Sequence, residues 1–388
     1  MKENVIMKKY DIVICGGGIA GCAAAIAAAR RGKKCALIEK TVFPGGLATS
    51  GLVLVYLPLC DGKGKQIIYG LSEELLHLSN RYGPVDVDPK WKEGKGRYQV
   101  HFSPASFVLA LDEMLTGCGV DVWYDTLVIG TEVEEDRLRK IKIANKSGIL
   151  EIAADIFIDS TGDADLAAYS GCECMNATNA MVTWVVEHRE AEDSSRFTFG
   201  KDLSTLIMSS PITNSDTPPG IDGRLVTDFL LEGRRRYRER LKEDYRDGKE
   251  SRMTRYPMLL PSMVPLRHTR CIKGKFVLND NMSEQDFPDS IGLIPEWRGV
   301  GPAWSVPYRT LVPEKLRGLL AAGRCVSSIN DACELTRVIP AAALTGEVAG
   351  IAAALSLDQN LLPDELPYES LKKVLVNQGF PLTFNDLK

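Results

Sequence analysis

No stretch of this chain runs for the roughly 18 consecutive apolar residues that a membrane-crossing helix needs, so no transmembrane segment is expected. The leading residues, Met1 to Lys9, lack the long apolar core and cleavage site of a signal peptide. An excess of either charge is missing too: 47 Lys and Arg face 51 Asp and Glu, a formal net charge of -4. That balance gives no electrostatic case for nucleic acid or an anionic membrane as a partner. Histidine is scarce, and His77, His101, His188 and His268 fall at no metal-ligand spacing. Cysteine is plentiful, but no Cys-x-x-Cys occurs among the ten. The nearest pair, Cys172-Glu173-Cys174, has the wrong spacing for a thioredoxin-type dithiol. Cys15, Cys22, Cys35, Cys325 and Cys333 sit in or beside apolar segments, so buried reduced thiols and a cytoplasmic location are expected.

What is present is a glycine turn in a telling context. An apolar run, Tyr10 to Cys15, leads into Gly16-Gly17-Gly18-Ile19-Ala20-Gly21, then an alanine-rich helix from Cys22 to Arg30. A second apolar run, Cys35 to Ile38, ends at Glu39 and Lys40. Strand, glycine turn, helix, strand and acid in that order form the fingerprint of a dinucleotide-binding βαβ unit. Gly16 permits the tight turn, Gly18 lets a pyrophosphate approach the backbone, and Gly21 lets the helix pack on the sheet. The helix start, with free N–H groups and the positive dipole end, binds phosphate. Glu39 is placed to accept hydrogen bonds from ribose hydroxyls. The alternative is a scaffold that keeps the turn but has lost the ligand.

Further along, Gly45-Gly46-Leu47-Ala48-Thr49 belongs to a loop rich in glycine and hydroxyls. Leu71 to Arg81 has a helical pattern, and Ser103-Pro104 reads as the cap and first residue of a helix ending at Gly117-Cys118-Gly119. Three strand-like runs between 127 and 159 suggest a meander that ends in a buried strand and Ser160-Thr161-Gly162-Asp163. From about 176 to 305 the pattern changes, with many prolines and a charged helix at about 224–248. The interleaved signs on that helix mark a solvated face. Leu319 to Gly323 returns to strand character, and Pro340 opens a late helix of small residues, Ala341 to Leu355.

The fold class expected is α/β: a Rossmann-like, FAD/NAD(P)-binding domain with a parallel sheet and β-meander, plus an inserted α+β substrate domain. The first domain is discontinuous, over 1–59, 101–175 and 305–356. The substrate or cap domain takes 60–100 and 176–304, and 357–388 forms a C-terminal helical appendage. Two features favour FAD over NAD. The turn at 160–163 supplies a second wall beside the βαβ unit, and the helix opened by Pro340 supplies a second helix N-terminus. A helix end near the flavin C2 carbonyl would stabilise negative charge on reduction.

The ordered motifs resemble a largely uncharacterised branch of FAD-dependent oxidoreductases in the glutathione reductase/fumarate reductase structural group. The resemblance rests on residues 16–21, Glu39-Lys40, residues 45–51, 160–167, Val306-Pro307-Tyr308-Arg309, Ala322-Gly323-Arg324, Arg337-Val338 and 346–350, and weakens over about 176–265. It implies that Gly16, Gly18, Ile19, Ala20, Gly21, Glu39, Lys40, Gly45, Gly46, Leu47, Ala48, Thr49, Thr161, Gly162 and Asp163 hold the cofactor. Val128 would touch adenine through its backbone, and Gly323, Arg324 and Arg337 would lie near the ribityl chain or ring. Relatives with covalent flavin often carry a histidine in the loop after the acid. None lies between Met1 and Cys60, so non-covalent FAD is expected.

A second strand–GxGxxG–helix unit is absent, and with it a dedicated NAD(P)H domain. Hydride would therefore pass directly between a small-molecule substrate and flavin N5, or an external electron carrier would dock. Arg309 and Arg337 are candidates to hold a substrate carboxylate by a two-pronged hydrogen bond. His268 is the candidate acid/base. Two further readings stay open: a flavin-binding protein whose FAD is structural or sensory, and an NAD-linked dehydrogenase. Substrate identity, the direction of electron flow and oligomeric state are not legible.

Overall fold

Ile12, Val13, Ile14 and Cys15 are all buried, which an apolar run achieves only when both faces of its strand are covered. In the computed structural model, which describes residues 7–57, 59–83, 86–88, 99–176, 182–190, 197–198, 203–209 and 220–387, this run ends strand β1 (Met7–Cys15). Helix α1 (Ile19–Ala29) follows, then β2 (Cys35–Ile38), which pairs parallel to β1 from Ile12 with Cys35 to Cys15 with Ile38. Helix α2 (Leu71–Ser79) and α3 (Pro104–Gly117) precede β3 (Asp121–Trp123), which extends the sheet beyond β2. Ser103 caps α3, its side chain accepting from the Ser106 N–H at 3.4 Å, with Pro104 in the first turn.

Strands β4 (Leu127–Glu134), β5 (Arg137–Asn145) and β6 (Gly148–Asp159) form the meander. The long β6 pairs along both of its edges within one sheet. Its first half pairs antiparallel with β5, while Met7 to Cys15 of β1 run parallel along Glu151 to Asp159. The sheet order is thus β3-β2-β1-β6-β5-β4. A late strand, Leu319–Ala321, adds in parallel to the end of β6, after short helix α4 (Asp165–Tyr169) and the insertion. The C-terminal ends of β1, β2, β6 and this late strand therefore open on one side.

The insertion has its own antiparallel sheet. Val182–Arg189 pairs on one side with Leu203–Ser209 and on the other with Arg255–Leu259. Helix α5 (Gly223–Arg246) packs on it through Tyr237 and Leu241, which bury against Val185. The Tyr237 hydroxyl donates to Glu187 at 2.7 Å, and the buried Arg255 guanidinium pairs with Glu187 and Asp244.

Other segments assigned to the cap from sequence pack differently. Leu71, Leu75 and Leu76 of α2 join the main core, as do Ile291, Leu293 and Trp304. An amphipathic pattern announces that a face is buried, not which surface covers it. For α2 the surface is α7 (Ile339–Asp358), which follows α6 (Asp331–Thr336). Ser72 Oγ donates to the Pro340 carbonyl at 2.9 Å, and the Leu71 N–H to Glu347 at 2.7 Å. The C-terminal helix α8 (Tyr368–Asn377) buries Leu371 and Leu375 in the same core.

Helix α7 is the one helix among the described residues that is long and apolar enough for a membrane span by composition. It has 20 residues, yet 94% of the apolar 18-residue window within it is buried inside the protein. Its polar interruptions, Thr345, Glu347 and Ser356, break the continuous run sought in the sequence. Its small residues instead let it lie against α1. A Cβ on Gly346 would sit 2.1 Å from the Ala20 carbonyl oxygen, and one on Gly350 2.3 Å from that of Ala24.

Candidate functional site

The turn out of β1 is shaped by two close approaches. Gly16 has φ +100°, and a Cβ there would stand 2.4 Å from the Ser160 carbonyl oxygen. On Gly21 a Cβ would stand 1.9 Å from the Gly16 oxygen. Gly18 differs: φ is -65° and a Cβ would meet nothing within 4 Å. Its missing side chain leaves open space rather than relieving strain. Gly18 also caps α1 without any side-chain hydrogen bond, so the first-turn N–H groups face that space with no side-chain cap.

Glu39 at the end of β2 holds the turn. Its carboxylate is buried and accepts from the Gly17 N–H at 2.6 Å and the Thr41 N–H at 2.7 Å. Glu39 was read from sequence as a ribose ligand. It lines the groove while its oxygens already bind backbone. The loop after it returns to the turn: the Gly45 N–H donates to the Gly17 carbonyl at 2.7 Å, and Gly45 and Gly46 both have positive φ. Thr49 serves this loop and not the groove. Its hydroxyl donates to the Pro44 carbonyl at 2.6 Å and is buried there.

At the end of β6, Asp159 organises the second turn. It is fully buried and accepts from the Thr161 hydroxyl at 2.8 Å, the Thr161 N–H at 3.1 Å and the Ala167 N–H at 2.9 Å. Burial pushes its carboxyl upward, and these donors oppose that. Gly162 has φ +83° and lies under Arg324, whose Nη2 would be 2.3 Å from a Cβ placed there. Asp163 accepts from Thr269 at 2.7 Å and from Arg324 at 3.4 Å, and turns toward an adjoining cavity instead of the groove.

These pieces meet in a groove that is open to solvent along one side. Its walls carry Gly16, Gly18, Ile19 and Ala20; Glu39 and Lys40; Gly45, Gly46, Leu47 and Ala48; Val128; Thr161 and Gly162; and Gly323, Arg324 and Arg337. Ile38, Thr126, Leu127, Ser160, Asp165, Met263, Ala322, Ile339 and Ala342 also line it and were not picked out from the sequence. Most of these are neighbours of residues that were. Ile339 and Ala342 are the first turn of the late helix, whose N-terminus carries no side-chain cap. Met263 had no sequence signal; it arrives because the Ser262 N–H donates to the Ser50 carbonyl at 2.9 Å.

Of the catalytic candidates, only Arg337 stands in the groove wall. It donates through Nη2 to Glu334 and lies 5.8 Å from the Trp297 ring centroid, while its buried Nε has no hydrogen-bond partner among the described residues. Arg309 does not line the groove. Asp289 takes its guanidinium at 2.9 and 3.0 Å, and it stacks over Phe276 at 4.9 Å. His268 is also outside the wall, yet it is 4% exposed and neither ring nitrogen has a hydrogen-bond partner among the described residues. Burial, then the charges of Arg324 and Arg337, pushes it down to about 4, so the ring is neutral near pH 7.

An extended dinucleotide fits this groove. Gly18 leaves the close approach free, two uncapped helix N-termini open on it, and glycine turns wall both sides. Comparison with known proteins agrees. Over 92 residues, 24% of this chain, it is 41% identical to aerobic glycerol-3-phosphate dehydrogenase of Staphylococcus haemolyticus, matching 16% of that enzyme. Over 71 residues, 18% of the chain, it is 41% identical to thioredoxin reductase of Ureaplasma parvum, matching 23% of it. A geranylgeranyl bacteriochlorophyll reductase-like protein from Thermoplasma acidophilum superposes with TM-score 0.54 at 15% identity, covering 96% of this chain and 84% of that one. p-Nitrophenol 4-monooxygenase of Pseudomonas putida gives 0.53 at 13% identity, covering 98% and 89%. At such identities the structural likeness speaks for the fold alone. The sequence profile of the FAD dependent oxidoreductase family, however, matches residues 11–183 and 174–375, and the chain belongs to that family: it is a flavoprotein oxidoreductase whose cofactor is FAD.

Proposed function

We propose that this oxidoreductase exchanges a hydride between a small organic substrate and its flavin, with FAD held non-covalently. What supports the reading is that the uncapped first turns of α1 and α7 open on the same groove. Bound FAD would supply two-electron chemistry, taking or returning hydride at N5. The α1 N–H groups and Gly18 would hold the pyrophosphate. Lys40 and Val128 would hold the adenosine end, with Glu39 fixing the turn between them. Gly323, Ile339 and Arg337 would surround the ring end, where the α7 dipole and the Arg337 charge favour electron density. No Cys, His or Tyr stands among the described groove residues, so no side chain of the usual kinds is placed to bond the flavin. His268, neutral and without a hydrogen-bond partner among the described residues, is the candidate to give or take a proton.

The test begins with the visible spectrum of the purified protein, before and after heat release. Flavin bands at about one per chain, released as free FAD, are expected. Anaerobic addition of small organic acids, alcohols and amines should then bleach the bands with at least one compound. Bands that stay with the denatured chain would overturn non-covalent binding. Bands that no compound and no external reductant bleaches would favour a structural or sensory FAD.

A further inference from the structure

The interleaved charges of α5 separate by sign once the helix is formed. Tyr237 and Leu241 fix its buried face, with Tyr245 half-buried beside them. In a helix, side chains four apart stack on one face. Arg234, Arg238, Lys242 and Arg246 occupy four such positions, and no acid interrupts them. They form a basic row about 18 Å long beside the buried face. The acids Glu232, Glu239 and Glu243 share the next stripe round the helix. The net charge of -4 averages this separation away.

Arg238, Lys242 and Arg246 are exposed, and Arg234 is half-buried. Lys242 reaches Glu239 at 3.2 Å and Arg246 reaches Asp247 at 3.3 Å, but pairs so exposed hold their charges weakly. The side chains of Arg234 and Arg238 make no ion pair or hydrogen bond among the described residues. Beyond the helix the chain turns back on the side of Tyr245, whose hydroxyl donates to the Arg255 carbonyl at 2.6 Å. Tyr245 lies one helical turn from Lys242, so this return carries Arg252 and Met253 to the end of the row. Met253 is 77% exposed, more than any other large apolar side chain among the described residues. Leu231, one turn before Arg234 and Arg235, is 54% exposed.

A basic face attracts an anionic partner. Leu231 and Met253, held out in water at that face, fit an apolar one as well. An anionic bilayer surface offers both, with charged headgroups above and acyl chains just below. A phosphodiester backbone would answer the charge alone. We propose that this face of α5 docks on an anionic lipid surface. The row from Arg234 to Arg246 lies against the headgroups, and Leu231 and Met253 dip beneath them. The apolar side of α5 stays on its own sheet, so attachment is peripheral, reversible and screened by salt. It is independent of what the flavin oxidises.

The experiment sediments the FAD-loaded full chain with vesicles of phosphatidylcholine alone or with about one-third phosphatidylglycerol, at about 50 and about 500 mM salt. Protein should pellet with the acidic vesicles at the lower salt, stay in solution with phosphatidylcholine, and be released at the higher salt. Arg234→Gln/Arg238→Gln should lower the partition coefficient about twenty- to thirtyfold, at unchanged FAD content and melting temperature. Leu231→Ser/Met253→Ser should lower it about tenfold and keep the salt dependence. Pelleting with neither vesicle, equal pelleting with both, or wild-type partition of either double variant would overturn the docking. Tighter binding to a short RNA duplex or to polyglutamate than to acidic vesicles would also overturn it, by giving the row to a nucleic acid or an acidic protein.

Discussion

A Cβ on Gly18 would meet nothing within 4 Å, whereas on Gly21 it would lie 1.9 Å from the Gly16 carbonyl oxygen. The two glycines sit three residues apart in one turn and answer to different demands. Gly21 is required by the fold, because α1 starts against the end of β1. Gly18 is required by the ligand, because only an occupant of the groove would collide with a side chain there. Gly18→Glu should therefore give protein with wild-type circular dichroism and apo melting temperature that carries no FAD. Gly21→Ala should lose roughly 1–3 kcal/mol or more in denaturant titration, whether or not FAD is present. A folded Gly18→Glu protein with stoichiometric FAD would show that the pyrophosphate lies elsewhere. Both glycines were legible in the sequence, since the strand and helix around them fix the register. Arg309 was not. Its neighbours in sequence suggested the site, but Asp289 claims it, and only the fold brings those two together.

Helix α7 shows what one element does when its faces have different partners. Gly346 and Gly350 meet the backbone of α1, while Glu347 between them turns to the start of α2 and accepts from the Leu71 N–H at 2.7 Å. Burial pushes this carboxyl up from about 4.5 to about 7, with the Leu71 hydrogen bond opposing the rise. The sign follows from proton binding. The folded state holds the proton more tightly than the unfolded chain, so the contribution is full below about 4.5 and is lost as pH rises toward 7. A shift of that size corresponds to roughly 3 kcal/mol. Glu347→Gln keeps an acceptor and removes the titration. Wild-type stability relative to Glu347→Gln should fall by about that amount between pH 4 and pH 8. A pH-independent difference would mean that Glu347 titrates normally. The late helix itself was legible from Pro340 and its small residues. Its dealings with α2 were not, because amphipathic spacing in α2 names no partner and a lone Glu in an apolar helix resembles a solvated one. Asp159 was hidden for the same reason: it closes an apolar strand, and its role as acceptor for Thr161 and Ala167 exists only once β6 turns back on α4.

At the scale of the whole chain, the groove walls come from segments far apart in sequence: the turn at 16–20, the loop at 45–48, the meander at 126–128, the turn at 160–162, Met263, and the late stretch from Ala322 to Ala342. The sheet joins the turns at 16 and 160 and the start of the late stretch, because Cys15 and Ala321 both pair with Asp159; the remaining segments reach the groove through loops and helix packing. The parallel strands bring their ends to one side, and small residues then seat α7 on α1. A ligand along the groove touches every segment at once, so it should tie them into one cooperative unit. FAD at a hundredfold excess over its dissociation constant should add about 2.7 kcal/mol to folding. With an unfolding entropy near 2.1 cal/mol/K per residue, this raises the melting temperature by about 3 °C. The pattern of amide exchange is the sharper test. Adding FAD to the apo protein should slow exchange together at the first turn of α1, at 160–165 and at the first turn of α7. Helix α5, which buries Tyr237 and Leu241 in the inserted unit and supplies no groove residue, should exchange as before. Protection confined to the α1 turn would mean that the ligand reaches only the βαβ unit. The late helix would then be packing for the core and not a wall of the flavin site.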